Sequence, residues 1–104
     1  MATETLVLPK SVYNVLYRLT GASRPDVALS LAIKELAHLK LEAAKARVTA
    51  FEKKYGMTYP AFEKAWEAGQ IPNRYSYEVE TDYQDWEAAV TDTAALEELS
   101  QWLI

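Results

Sequence analysis

Thirty consecutive residues without glycine or proline, Asp26 to Tyr55, constrain the fold more than any other feature of this 104-residue chain. Apolar residues recur through the stretch at the three- and four-residue spacing that places them on one face of an α-helix. Pro25 suits the first turn of a helix, and Gly56 favours its end. At 1.5 Å per residue such a helix is about 45 Å long. That length exceeds a compact domain of this size, so we expect its far end to pack against something else, with a partner chain as the first candidate.

The segment before this helix predicts a short strand and a short helix. The apolar, β-branched residues of Thr3–Leu8 favour a strand that Pro9 closes. Its two faces would carry, on one side, Leu6 and Leu8 and, on the other, Thr3, Thr5 and Val7. Ser11–Leu19 has helical spacing and is followed by Gly21, a favoured residue just after a helix end.

Two further helical regions are predicted after Gly56. Thr58 is placed to cap a third helix, with Pro60 in its first turn. The last region, residues 76–103, also has helical spacing, but its apolar positions shift phase near Thr91–Thr93. One helix and two helices are both compatible with that pattern. The fold class is therefore mostly α, with a short N-terminal strand, a long central helix and a helical acidic C-terminal part.

Charge divides the chain at the same place. Residues 1–56 carry nine Lys and Arg against five Asp and Glu, a net +4, whereas residues 57–104 carry two against ten, a net −8. The two halves sum to the −4 of the whole chain. One interpretation is that the helix faces simply differ. The other is that the basic half meets nucleic acid or another acidic surface, while the acidic half meets a basic protein.

Composition argues against an enzyme, a cofactor and a metal site. Cysteine is absent, His38 is the only histidine, and the glycines are isolated, so thiolate chemistry and a glycine-rich phosphate loop are excluded. Carboxylate pairs such as Asp82 and Asp85 could bind a hard cation, but on an acidic helix they are more often a solvated face. No apolar run approaches the ~20 residues of a membrane span. We expect a cytoplasmic protein without membrane contact.

The N-terminal stretches TLVLPKSVYNVLYRL and GASRPDVALSLAIKEL resemble the ribbon-helix-helix pattern over about residues 3–40. The resemblance implies a homodimer whose paired strands enter the major groove of operator DNA. It implies a DNA-binding set consisting of Thr3, Thr5, Val7, Ser23 and Arg24. The outward strand face has no Lys, Arg, Asn or Gln to read bases, so dimerisation is better supported than DNA binding. The alternative is a plain strand and helices in a dimer core.

The C-terminal stretches FEKKYGMTYPAFEKAWEAGQIP and YEVETDYQDWEAAV resemble the tails of small prokaryotic antitoxins from protein–protein toxin–antitoxin systems. The resemblance implies that the acidic tail masks a basic partner toxin, often a nuclease. The predicted partner-binding residues are Tyr75, Tyr77, Glu78, Glu80, Asp82, Tyr83, Asp85, Trp86 and Trp102. We accordingly predict a dimerisation module with weak DNA binding over residues 1–56 and an acidic aromatic partner-binding region over residues 57–104.

Two alternatives stay open for this region. Trp66, Tyr83 and Trp86 could close the chain's own core, which is the favoured interpretation for Trp66, whereas Tyr75, Tyr77 and Trp102 favour exposure. The whole chain could also be a dimeric helical adaptor or structural protein that binds no DNA and uses its acidic face only for solubility.

Overall fold

The computed structural model describes residues 7–103, and within them the chain is mostly α-helical, as predicted. Its four helices are α1 (Lys10–Thr20), α2 (Pro25–Tyr55), α3 (Tyr59–Glu67) and α4 (Tyr77–Ser100). Most of the predicted strand Thr3–Leu8 lies outside the described residues. Val7 and Leu8, which lie inside them, are not part of a strand.

The long central helix is confirmed as α2, which runs without interruption for 31 residues. It ends at Gly56, whose φ of 68° lies in the left-handed region and whose N–H donates to the carbonyl of Glu52 at 2.8 Å. Ser23 does not cap its start. The N-cap residue is Arg24, and its guanidinium instead pairs with Asp26 at 2.8 Å.

The last region is one helix, which decides between the two alternatives. The Ser76 hydroxyl caps α4 by accepting a hydrogen bond from the Val79 N–H at 3.2 Å. Thr93 lies within the helix, and its hydroxyl donates back to the carbonyl of Ala89 at 2.8 Å. Since the threonine satisfies its own polar group on the preceding turn, it does not break the helix.

α4 runs antiparallel along α2. Lys54, near the end of α2, meets Glu78 in the first turn of α4, whereas Arg47, two turns earlier, meets Asp92 further along. The small side chain of Ala44 is buried beside this contact, which lets the two helices approach closely. The acidic half of the chain is therefore packed directly on the basic half.

One aromatic core lies where the end of α2, α3 and the first half of α4 meet. Its buried residues are Phe62, Ile71 and Trp86. Phe51 stacks on Trp86 at 5.6 Å between ring centroids, and Tyr55 stacks on the same indole at 5.7 Å. This cluster fixes α3 against the α2–α4 pair.

The molecule is elongated because α2 is longer than the core that covers it. Its radius of gyration is 19.8 Å, and its extents are 57 × 29 × 18 Å. A compact chain of this length has a radius of gyration of about 13 Å. At the end away from the aromatic core, α1 packs on α2 through Leu16 and Ala28. No helix within residues 7–103 has both the length and the apolar character needed to cross a membrane.

Candidate functional site

The side of α4 that faces α2 carries carboxylates that are already paired. Lys54 Nζ lies 2.6 Å from the carboxylate of Asp82 and 2.9 Å from that of Glu78. The hydroxyl of Tyr55 donates to the same Asp82 carboxylate at 2.5 Å. Only 14% of the Asp82 side chain is exposed. These carboxylates hold the two helices together and have little capacity left for an external cation.

The pKa shifts in this cluster follow from its geometry. Burial acts to raise the pKa of Asp82, but the hydrogen bonds from Lys54 and Tyr55 outweigh it, so the pKa lies below its ordinary value. The hydrogen bonds to Asp82 and Glu78 raise the pKa of Lys54. Burial, followed by the hydrogen bond to Asp82, raises the pKa of Tyr55 to about 12. All three groups therefore keep their ordinary charges near neutral pH.

The opposite side of α4, which borders α3, is acidic and lacks this compensation. The charges of Glu63 and Glu67 on α3 and of Glu87 on α4 act on Tyr83. Glu80 lies two helical turns before Glu87 on the same face of α4, and we call these four carboxylates the acidic seam. Among residues 7–103, no member of the acidic seam forms an ion pair. The negative charge of the seam is therefore available to another molecule, as is that of Asp85, Glu97 and Glu98, which also form no ion pair within residues 7–103.

The negative charge of the seam affects the pKa of two neighbouring tyrosines, Tyr59 and Tyr83. Burial, followed by the negative charges of Glu63 and Glu87, raises the pKa of Tyr59. Burial, followed by the charges of Glu63 and Glu67, raises the pKa of Tyr83. The two rings meet edge to face, with their centroids 6.1 Å apart. The carboxylates thus act together on one aromatic surface rather than as separate solvated groups.

A row of aromatic contacts connects the seam to an exposed tyrosine. Trp66 lies 4.8 Å from Tyr83 and 6.3 Å from Tyr75, measured between ring centroids. Arg74 lies over the Tyr75 ring at 4.7 Å and also donates to the Trp66 carbonyl at 2.5 Å. Although it is held in this way, Tyr75 is 72% exposed. Tyr75 therefore contacts Trp66 and Arg74 on one side and leaves most of its ring exposed near the acidic seam.

The structure separates the predicted partner-binding residues into three groups. The exposed ones, just before α4 or in its first half, are Tyr75, Tyr77, Glu78, Glu80 and Asp85, and of these Glu78 pairs with Lys54 on α2. Tyr83 and Asp82 are partly buried against neighbouring helices, and Trp86 is 0% exposed. Trp86 is therefore a core residue in this fold and has no surface to offer a partner. Trp102 is 79% exposed but lies beyond the far end of α4.

Trp66 packs against the aromatic core, so the favoured prediction for this side chain is confirmed. Sequence reasoning missed Glu63, Glu67 and Glu87 as members of the site. A signal existed in the i, i+4 spacing of the first two on a helix. What it could not show was that α3 brings them against α4.

Three of the predicted DNA-binding residues, Val7, Ser23 and Arg24, lie within the described chain, and all three are exposed. Thr3 and Thr5 lie outside the described residues. The Ser23 carbonyl accepts a hydrogen bond from the Tyr13 hydroxyl at 2.7 Å. Arg24 shares its charge with its own neighbour Asp26. DNA binding stays a prediction.

Residues 7–103 contain no group of three or more acidic or histidine side chains arranged to hold a metal ion. His38 lies exposed on α2. The absence of a cofactor stays a prediction.

Comparison of the chain with protein-family models, with curated proteins and with solved structures finds no significant match.

Proposed function

We propose that this protein is an antitoxin-like dimer that binds and neutralises a basic partner protein through its acidic C-terminal half, residues 57–104. The acidic seam carries the proposal, because its carboxylates lie together on one surface and pair with no cation among residues 7–103. Other carboxylates of α4, at Glu78, Asp82 and Asp92, already pair with α2. The proposed binding surface is therefore the side of α4 that borders α3, rather than the whole acidic tail.

The physical chemistry of this surface suits a Lys- and Arg-rich partner. Clustered carboxylates attract such a partner over a Debye length and speed its docking. Tyr75 and Tyr77 are 72% and 85% exposed and can anchor it, since tyrosine buries a large area with few rotatable bonds. A nuclease is a suitable partner because a site that attracts phosphate must be basic. Occupying that site with carboxylates would block its substrate.

The test is a charge reversal on the seam with a matched control on the same helix. Glu80→Lys with Glu87→Lys changes the seam, whereas Glu97→Lys with Glu98→Lys makes the same charge change at the other end of α4. All four side chains are exposed, so both double variants should fold. The wild type and each double variant are used as tagged baits in lysate of the native host. A basic protein should be captured with the wild type and with the control but not with the seam variant.

The captured protein is then purified and its activity measured with each variant. We expect the wild type and the control to inhibit it and the seam variant to lose inhibition by at least tenfold, which is about 1.4 kcal/mol. If both double variants bind the basic partner equally well, the charge of the seam serves solubility rather than binding, which favours the adaptor interpretation. Deleting residues 73–104 is not a clean test, because it removes Trp86 from the core.

DNA binding by the N-terminal half is a separate hypothesis. It predicts binding to the protein's own promoter DNA that weakens steeply with salt, since counterions are released from phosphates. No binding at low salt, with and without the partner, would exclude it.

A further inference from the structure

Large apolar side chains remain exposed at the end of the molecule away from the aromatic core. Tyr17, Val27 and Ile33 are among them. Six others line neighbouring grooves, namely Val12, Val15 and Leu19 on α1 and Leu31, Leu36 and Leu39 on α2. Their exposed fractions run from 44% for Leu31 to 78% for Leu19. We call these six residues the leucine face. At this end the only buried apolar residues among those described are Leu16 and Ala28.

The leucine face is continuous across the two helices. Leu19 borders both a groove along α1, shared with Val12 and Val15, and a groove along α2. The second groove is lined by Leu31, Leu36 and Leu39 and includes a single charged residue, Glu35. A continuous apolar surface of this kind marks an interaction site in most monomers that carry one.

We propose that the leucine face is the surface through which a second copy of this chain docks, related to the first by a two-fold axis. This inference names the interface of the dimer included in the proposed function, and it does not depend on the basic partner. Two copies that present the same face to each other form a closed dimer, to which no third copy can add through that face. A head-to-tail contact would instead build an open chain.

The area of the face fits a dimer of moderate stability. Burying a whole Val or Leu side chain corresponds to about 60–120 Å² of apolar area, and these six are about half exposed, so each copy offers about 300 Å². Because interfaces are about 60% apolar, two such faces imply a total interface of about 1,000 Å². That value lies at the lower edge of specific complexes, in the range where weak and transient associations are found.

Charge argues against the basic partner as the occupant of this face. Residues 10–40, which span α1 and the first half of α2, carry five Lys and Arg against two Asp and Glu, a net +3, so a basic protein is drawn to the acidic seam rather than to this end. The same positive charge does not block a second copy, because among residues 7–103 the only charged side chain that lines the two grooves of the leucine face is Glu35. Nucleic acid is recognised by cations and stacking, which a row of leucines does not supply. A second copy matches the face in apolar character and leaves both acidic seams uncovered.

The test is sedimentation equilibrium of the full chain without any partner, over about 1–200 µM. Leu39→Glu adds a charge to the leucine face at a side chain that is 58% exposed. Leu99→Glu is the matched control, at a side chain on α4 that is 57% exposed. Leu19→Glu, at 78% exposure, is a second variant on the face in case the first fails to fold. Circular dichroism establishes that helical content is unchanged.

We expect the wild type and Leu99→Glu to show the same monomer–dimer equilibrium. Leu39→Glu and Leu19→Glu should each weaken association by at least tenfold. A wild type that is monomeric at the highest concentration would overturn the proposal. So would loss of the dimer in Leu99→Glu alone, or a series of species beyond the dimer. Because no partner is present, each of these results leaves the test of the acidic seam unaffected.

Discussion

Replacing Trp86 with alanine distinguishes a core residue from a partner-binding residue more sharply than any other single change. The indole is 0% exposed and lies within 5.0–5.7 Å of the rings of Phe51, Tyr55, Tyr59 and Phe62, measured between centroids. Removing a buried Trp or Phe side chain costs about 3–5 kcal/mol in lost transfer free energy and cavity formation. In a core with so few buried residues, little else can compensate.

One feature of the indole reduces that cost. Its Nε1–H is buried and has no hydrogen-bond partner among residues 7–103, and such a group destabilises a fold by about 1–3 kcal/mol. Deleting the side chain removes this penalty, so we expect Trp86→Ala to lower the free energy of unfolding by a net ~2 kcal/mol. A domain of this size has about 5–15 kcal/mol in total, so the variant should still fold but with a clearly lower urea midpoint.

Urea denaturation followed by circular dichroism at 222 nm measures the loss directly. Trp102→Ala is the matched control, because that indole is 79% exposed and its removal should change stability by less than about 0.5 kcal/mol. Trp86→Phe keeps a ring and removes the unpaired N–H, so it should lie between the two. Equal urea midpoints for Trp86→Ala and Trp102→Ala would refute the placement of Trp86 in the core.

Three further changes test the helix contacts, each by the same denaturation assay. Asp82→Asn should cost about 1–3 kcal/mol at pH 7, because it weakens charged hydrogen bonds from Lys54 and Tyr55. Since the folded pKa of Asp82 is lowered, this stability is present above its unfolded pKa of about 3.9 and is lost as pH falls through the folded value. The difference between wild type and variant should therefore shrink below about pH 4, and a constant difference down to pH 2 would contradict it. Ser76→Ala should cost about 1 kcal/mol by removing the cap of α4, whereas Ser76→Asp should retain most of it; equal losses in both would argue against capping. Gly56→Ala should cost about 1–2 kcal/mol although its Cβ would meet no neighbour, because φ there is 68°; an unchanged midpoint would show that the helix end relaxes.

The helices could be predicted from the sequence because their limits are local. Pro25 and Gly56 bound α2, and Ser76 begins α4, each through contacts within four residues. The phase shift near Thr91–Thr93 could not be interpreted locally. It reflects how α4 follows α2, with Arg47 meeting Asp92 across 45 residues of chain.

The aromatic-acidic segment at the start of α4 also combines features that the sequence predicts with features that only packing decides. Tyr77 and Trp86 belong to a single run of alternating aromatic and acidic residues, yet one is 85% exposed and the other 0%. Helical periodicity predicts that they lie on different faces, but not which face meets α2. That choice depends on Phe51 and Tyr55, which contribute rings from a distant segment.

What the sequence determined by itself was the set of local elements and charges: three helices followed by a helical region of one or two helices, a basic half and an acidic half, and no cysteine chemistry. What only the tertiary structure decided was which charges neutralise each other. Lys54 neutralises Asp82 because α2 and α4 run antiparallel, and Glu63 and Glu87 form no ion pair within residues 7–103. Pairing depends on distances between segments far apart in the chain, and those distances are set by packing rather than by residue type.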